Sequence, residues 1–127
     1  MSNVIHLLTR RPIESPEEVL PRPDECLACF VHRMVGRQGC SAALRWVEQF
    51  RVHRTRRATA LGRRLVARGA TCDCSVTDVV WRPGPQLWEW SEAGQLVPPE
   101  QVPPCPGVRP GSTQPCRLWV AVADLAI

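Results

Sequence analysis

Seven cysteines stand at positions 26, 29, 40, 72, 74, 105 and 116 of a 127-residue chain. Thiolate sulfur is a soft ligand, and a tetrahedral zinc site is commonly assembled from two close pairs that the fold brings together. Cys26 and Cys29 form a CxxC pair at the start of a helical pattern, where residues three apart share a face. Cys72 and Cys74 form a CxC pair after Gly69. These four are the expected ligands of one structural zinc, with Cys40, beside Gly39, as the replacement for one of them. His32, three residues after Cys29, is a further candidate. Small buried apolar residues are the plain alternative, since free cysteines are often that. A redox dithiol at the CxxC and an iron-sulfur cluster are two more, although neither ferredoxin spacing is present. The c-type haem motif fails, because Phe30 and not histidine follows Cys29. Cys105 and Cys116 bracket a Pro- and Gly-rich loop and stay open between a second metal, ligands to the first and unrelated thiols.

Compartment favours metal over disulfide. Asn3 to Leu8 is too short for a secretory apolar region and is followed by Arg10, Arg11 and Pro12, so a cytoplasmic protein is expected, where thiols stay reduced. No run approaches eighteen apolar residues, so no membrane span is expected. The length suits a small domain and excludes a two-domain enzyme.

All sixteen basic residues are arginine, and the formal net charge is +4. Arg51, Arg54, Arg56, Arg57, Arg63, Arg64 and Arg68 fall within residues 51 to 68. Arg54, Arg56, Arg57, Arg63 and Arg64 are the candidate contacts to nucleic acid or a ribonucleoprotein, through phosphate charge and without a base-reading pattern. A solvated helix face would carry the same residues. Trp88 and Trp90 lie in a Pro-rich stretch and are candidates for docking a protein partner, against a role as gap fillers. No nucleophile with its base, paired carboxylates or phosphate loop appears at usable spacing.

These groups must be carried by a mixed α+β chain. Residues 1 to 23, with four prolines and at most a strand at Val4 to Leu8, read as an extended arm. Residues 24 to 127 read as one cysteine-rich domain, helical over 24 to 69 and strand or loop over 70 to 127. Asp24 caps a first helix with Leu27, Phe30, Val31, Met34 and Val35 on its apolar face. Ser41 caps a second, with Ala43, Trp46, Val47 and Phe50 buried. A third runs from Arg57 to Arg68, Gly62 marking a close helix contact. Cys72, Cys74 and Val76 alternate with polar residues in a strand reaching Trp81, so the two thiols share a face. Nine of the thirteen prolines lie between Pro83 and Pro115, leaving turns around a Leu87 to Trp90 strand. A last strand, Arg117 to Ala123, is expected to be buried on both faces.

The sequence Glu25-Cys26-Leu27-Ala28-Cys29-Phe30, then Gly39-Cys40, Leu44-Arg45-Trp46, Arg57-Ala58-Thr59-Ala60-Leu61 and Cys72-Asp73-Cys74 resembles a family of short actinobacterial proteins classed as a domain of unknown function. The likeness covers about residues 24 to 76 and implies no activity. Ser41 and Ser75 depart from the acidic residues that members tend to carry after Gly-Cys and Cys-Asp-Cys, so a shared role for those carboxylates does not transfer. The expectation is a small zinc-binding protein acting as an interaction or regulatory module through its basic face. The alternative is a metal-dependent or thiol-redox enzyme using the CxxC and CxC cysteines.

Overall fold

A computed structural model describes residues 19–125; the expected Val4 to Leu8 strand lies outside them. The chain is mixed α+β, a helical unit followed by two small antiparallel sheets. Helix α1 spans Leu27–Gln38, α2 Arg45–Arg54 and α3 Leu61–Ala67. A single turn α4, Asp73–Ser75, runs into a wide π-helical turn, Val76–Val80, kinked at Thr77. Strand β1, Trp81–Pro83, pairs with β4, Trp119–Ala121, in the register Trp81 to Ala121 and Pro83 to Trp119. Strands β2, Glu89–Trp90, and β3, Leu96–Val97, form a separate hairpin. A final turn α5, Val122–Leu125, follows β4 directly.

The core sits between α1, α2 and the segment from Val76 to Trp81. Phe30 meets Trp46 edge-on at 6.3 Å, and the tilted Phe50 ring at 6.0 Å. Leu27, Val31, Met34, Val47, Val76 and Val80 fill the space around them. Trp81 and Trp119 are buried as well, while Trp90 is 74% exposed. Trp88 is half-buried and donates its indole N–H to the Pro83 carbonyl at 2.7 Å. Trp81 and Trp88 thus serve the fold; of the Pro-rich stretch's indoles, Trp90 is the one that stands free.

Helix boundaries differ from the sequence expectation for local reasons. Asp24 has a left-handed backbone (φ +62°), and the N-cap of α1 is Cys26 instead, whose sulfur accepts from the Cys29 amide at 3.3 Å. Ser41 does not cap α2. The helix starts after Leu44, and its first free amides, those of Trp46 and Val47, are taken by the Asp73 carboxylate at 3.0 and 3.2 Å. Helix α3 is shorter than expected, and Gly62 marks no tight approach, since a side chain there would meet Leu44 Cδ1 at an ordinary 3.9 Å.

The expected strand from Cys72 is replaced by the helical turn α4. Ser75 Oγ accepts from the Thr71 and Cys72 amides and donates to the Cys72 carbonyl, and the Asp73 amide donates to the Ala43 carbonyl. Local side-chain bonds of this kind compete with strand pairing and here prevail over the β-branched composition. Strand character survives from Trp81 to Pro83 alone. The expected Leu87 to Trp90 strand is a 3₁₀ turn, Pro85–Leu87, followed by β2. The last strand is cut to three residues, with Trp119 buried and Val120 and Ala121 partly so.

Candidate metal centres

The structure divides the seven cysteines into two sets, four and three. Cys26, Cys29, Cys105 and Cys116 form the first, with all four sulfurs within 4.8 Å of one another. Cys40, Cys72 and Cys74 form the second, by the same measure. The expected union of Cys26 and Cys29 with Cys72 and Cys74 does not occur. The CxxC opens α1 on the side facing the Pro-rich segment, and the CxC sits on α4, whose Asp73 is turned toward α2. The sulfurs that join the CxxC are those of Cys105 and Cys116, which bracket the Pro- and Gly-rich loop.

The four-sulfur set is built from the inside of the protein. Cys26, Cys29 and Cys116 are buried and Cys105 is half-buried. The Cys29 and Cys116 sulfurs lie 3.7 Å apart, close to the edge of about 3.8 Å that zinc–sulfur bonds of 2.3 Å give in a tetrahedron. N–H groups point at every sulfur. The Cys26 and Gly107 amides donate to Cys105 Sγ, each at 3.4 Å, and the Cys29 amide to Cys26 Sγ. The Trp119 indole donates to Cys29 Sγ at 3.2 Å, and the Leu118 amide reaches Cys116. Donors of this kind stabilise anionic sulfur and fix its orientation, as the outer partners of metal ligands do.

The protonation of this set is divided. The hydrogen bond from the Cys29 thiol, with the backbone amides of Cys29 and Cys116, holds Cys26 down at about 6 against burial. Cys29 is pushed up, first because it is the donor to Cys26 and then by burial. Burial is the main reason Cys116 rises to about 12. One sulfur can be anionic cheaply; four cannot be unless a cation offsets their repulsion. The donor set therefore fits a divalent thiophilic ion.

The loop that brings Cys105 to the set is fixed at Gly107 and Val108. Gly107 takes a backbone conformation open to glycine (φ +102°), where a side chain would meet Asp24 Cβ at 3.4 Å, and the Val108 amide donates to the Asp24 carbonyl at 2.8 Å. His32 joins neither set: its Nε2 bonds the Glu100 carbonyl at 3.1 Å, its ring meets Trp119 edge-on, and burial lowers its pKa.

The three-sulfur set faces outward. Cys40 and Cys74 are exposed and Cys72 is half-buried. The Cys72 and Cys74 sulfurs are 3.0 Å apart. Sharing that hydrogen, with help from the Ser75 amide, lowers Cys72 to about 6, and Cys74, as donor to Cys72, rises to about 12. Asp73, between them, is fully buried and spends its carboxylate on α2; burial raises its pKa while the Trp46 and Val47 amides lower it. The Asp of Cys-Asp-Cys is a helix clamp, a role that its position before a β-like pattern concealed.

The arginines part company too. Arg54 donates to the Arg22 and Glu25 carbonyls and covers Phe50, so it belongs to the fold. Arg51 pairs with Glu48. Arg56, Arg57, Arg63 and Arg64 are exposed and, among the described residues, enter no ion pair.

Residues 27–77 match the family described as a protein of unknown function, DUF2695, in agreement with the resemblance drawn from the motifs. The matched stretch holds Cys40, Cys72, Asp73 and Cys74, and of the four-sulfur set Cys29 alone. No curated protein and no solved structure matches the chain. Among the described residues no helix is long and apolar enough to cross a membrane.

Proposed function

We propose that this is a small zinc protein in which Cys26, Cys29, Cys105 and Cys116 hold one structural ion, and that the module so fixed presents its exposed arginine corner to a polyanionic partner, nucleic acid or a ribonucleoprotein. The observation that carries the zinc reading is the buried four-sulfur set with N–H donors on its sulfurs. A closed all-cysteine tetrahedron with no position for water is the pattern of a structural site. Zinc suits it because a filled d shell imposes no geometry beyond the tetrahedron and needs no electron partner. A dithiol exchange role for the CxxC is disfavoured by burial, since both sulfurs are enclosed and already bonded within the set. The partner reading rests on Arg56, Arg57, Arg63 and Arg64, which have no evident task in the fold.

Elemental analysis of the purified protein tests the first part. The expected result is tightly held zinc that Cys105→Ser and Cys116→Ser lose together with thermal stability. Iron in its place, or an unchanged melting temperature after metal loss, overturns it. Binding of single-stranded and duplex oligonucleotides over a salt series tests the second. Affinity should fall steeply with salt and on reversing the charge of the four arginines; no binding at low salt removes that part.

A further inference from the structure

The geometry points to a second metal site, separate from the structural one: Cys40, Cys72 and Cys74 form a three-thiolate surface site that takes up a thiophilic d10 cation and leaves one coordination position open for exchange with an outside ligand.

The three sulfurs come from two places in the sequence and still meet within 4.8 Å. Packing does not account for them, because Cys40 and Cys74 are exposed and contribute little to the core. The backbone that carries them is held firmly on the inner side. Asp73 is anchored by the Trp46 and Val47 amides, its own amide by Ala43, and Ser75 closes the turn with three hydrogen bonds. Cys40 enters from the other side, just after Gly39 (φ +80°) ends α1. The rigid parts point inward and the thiols outward, which preorganises donors without enclosing them.

Among the described residues, no fourth histidine, cysteine or carboxylate joins the set. Asp73 is next in sequence to both ligands and is committed to α2. The residues following the ligands, Ser41 and Ser75, bring hydroxyls. A zinc ion held by all three sulfurs as thiolates would give a site of net charge −1 with water completing the tetrahedron; a cuprous ion would give −2 and needs no fourth ligand. All-sulfur donors favour both over harder ions. With water or solvent at the fourth position and no carboxylate placed to act as base, the site suits uptake and release of the ion to an incoming thiolate rather than hydrolysis.

The test is a Zn²⁺ titration of the full chain in the presence of a chromogenic chelator and a non-thiol reductant, on the wild type and on a variant with Cys40→Ser, Cys72→Ser and Cys74→Ser combined. Two classes of ion are expected for the wild type, the weaker by about 100-fold or more, and the variant should keep the tight class alone. Mass spectrometry after alkylation gives a readout on the wild type that no misfolded variant can imitate. Zn²⁺, or cuprous ion added separately, should shield Cys40, Cys72 and Cys74 at concentrations that leave the buried set already shielded. One ion per chain in both proteins, or alkylation of the three thiols unaffected by either metal, overturns the second site and leaves the structural one standing. A variant with unchanged helix content and no tight ion overturns the structural site. A disulfide among the three thiols in protein purified without reductant, with no second class of metal on reduction, assigns them to redox chemistry instead.

Discussion

The two cysteine sets are made of the same chemistry and differ in what surrounds it. Around Cys26, Cys29, Cys105 and Cys116 the protein supplies burial, a complete set of four sulfurs and N–H donors from the Cys26, Cys29, Gly107 and Leu118 amides and the Trp119 indole. Around Cys40, Cys72 and Cys74 it supplies a braced turn and leaves the sulfurs at the surface, one short of a tetrahedron. The spacing motif therefore says less than the environment. The CxxC is enclosed because Cys105 and Cys116 complete and cover it, whereas the CxC lies at the surface with its central residue turned inward.

Breaking the buried set should produce the largest effect. A structural zinc contributes on the order of 10–16 kcal/mol in small domains, against a net stability of about 5–15 kcal/mol for a chain of ordinary size. Cys105→Ser or Cys116→Ser is expected to release the metal and abolish cooperative thermal unfolding, read by circular dichroism and tryptophan fluorescence. Cys74→Ser, by contrast, should move the melting free energy by less than about 0.5 kcal/mol. Equal losses from both would erase the distinction between the sets.

The donors can be probed one at a time. Trp119→Phe keeps an aromatic ring over the site and removes the N–H to Cys29, so zinc affinity should weaken about 10- to 100-fold with the ion still bound at saturation; chelator competition measures it. Asp73→Ala removes the clamp on α2 and should cost about 1–2 kcal/mol, seen as a shifted urea midpoint. The tight zinc should remain, while the three surface thiols alkylate faster.

The smallest effect concerns pH. His32 has its pKa lowered by burial from 6.5. The unfolded chain then binds the proton more readily than the folded one, so this contribution is full above 6.5 and is lost as pH falls through the folded value. Denaturation midpoints should decline on acidification below pH 6.5, and less so in His32→Gln at pH values where zinc is still bound.

Much of the helical half was legible. The 3.6-residue spacing of Leu27, Phe30, Val31 and Met34, and of Trp46, Val47 and Phe50, reports buried faces directly, and those faces are where the structure packs them. The cysteines were legible as a donor set that could hold a metal, but not in their grouping. Grouping depends on which distant loop returns to α1, and nothing local to Cys26 or Cys29 specifies residues 105 and 116. The count of seven was the available signal, because it divides naturally into a closed four and an open three. Cys72 to Trp81 misled because alternation and β-branched residues favour a strand when hydrogen bonds from Ser75 and Asp73 are left out of account. For Arg54 the charge was visible, and its two carbonyl partners, Arg22 and Glu25, were not.

The buried set spans 79 residues from Cys26 to Cys105 and 87 from Cys29 to Cys116. Closing a loop of that length is slow and entropically costly, whereas Cys40, Asp73 and the two CxC thiols belong to the stretch made earlier in synthesis, rich in short-range helical contacts. As the chain emerges, Cys40, Cys72 and Cys74 are all synthesised before Cys105 and Cys116, the far partners of the CxxC. An ion captured at the early site would then be held within the same molecule when the last two ligands arrive. The order of synthesis thus arranges the two sets in time as well as in space.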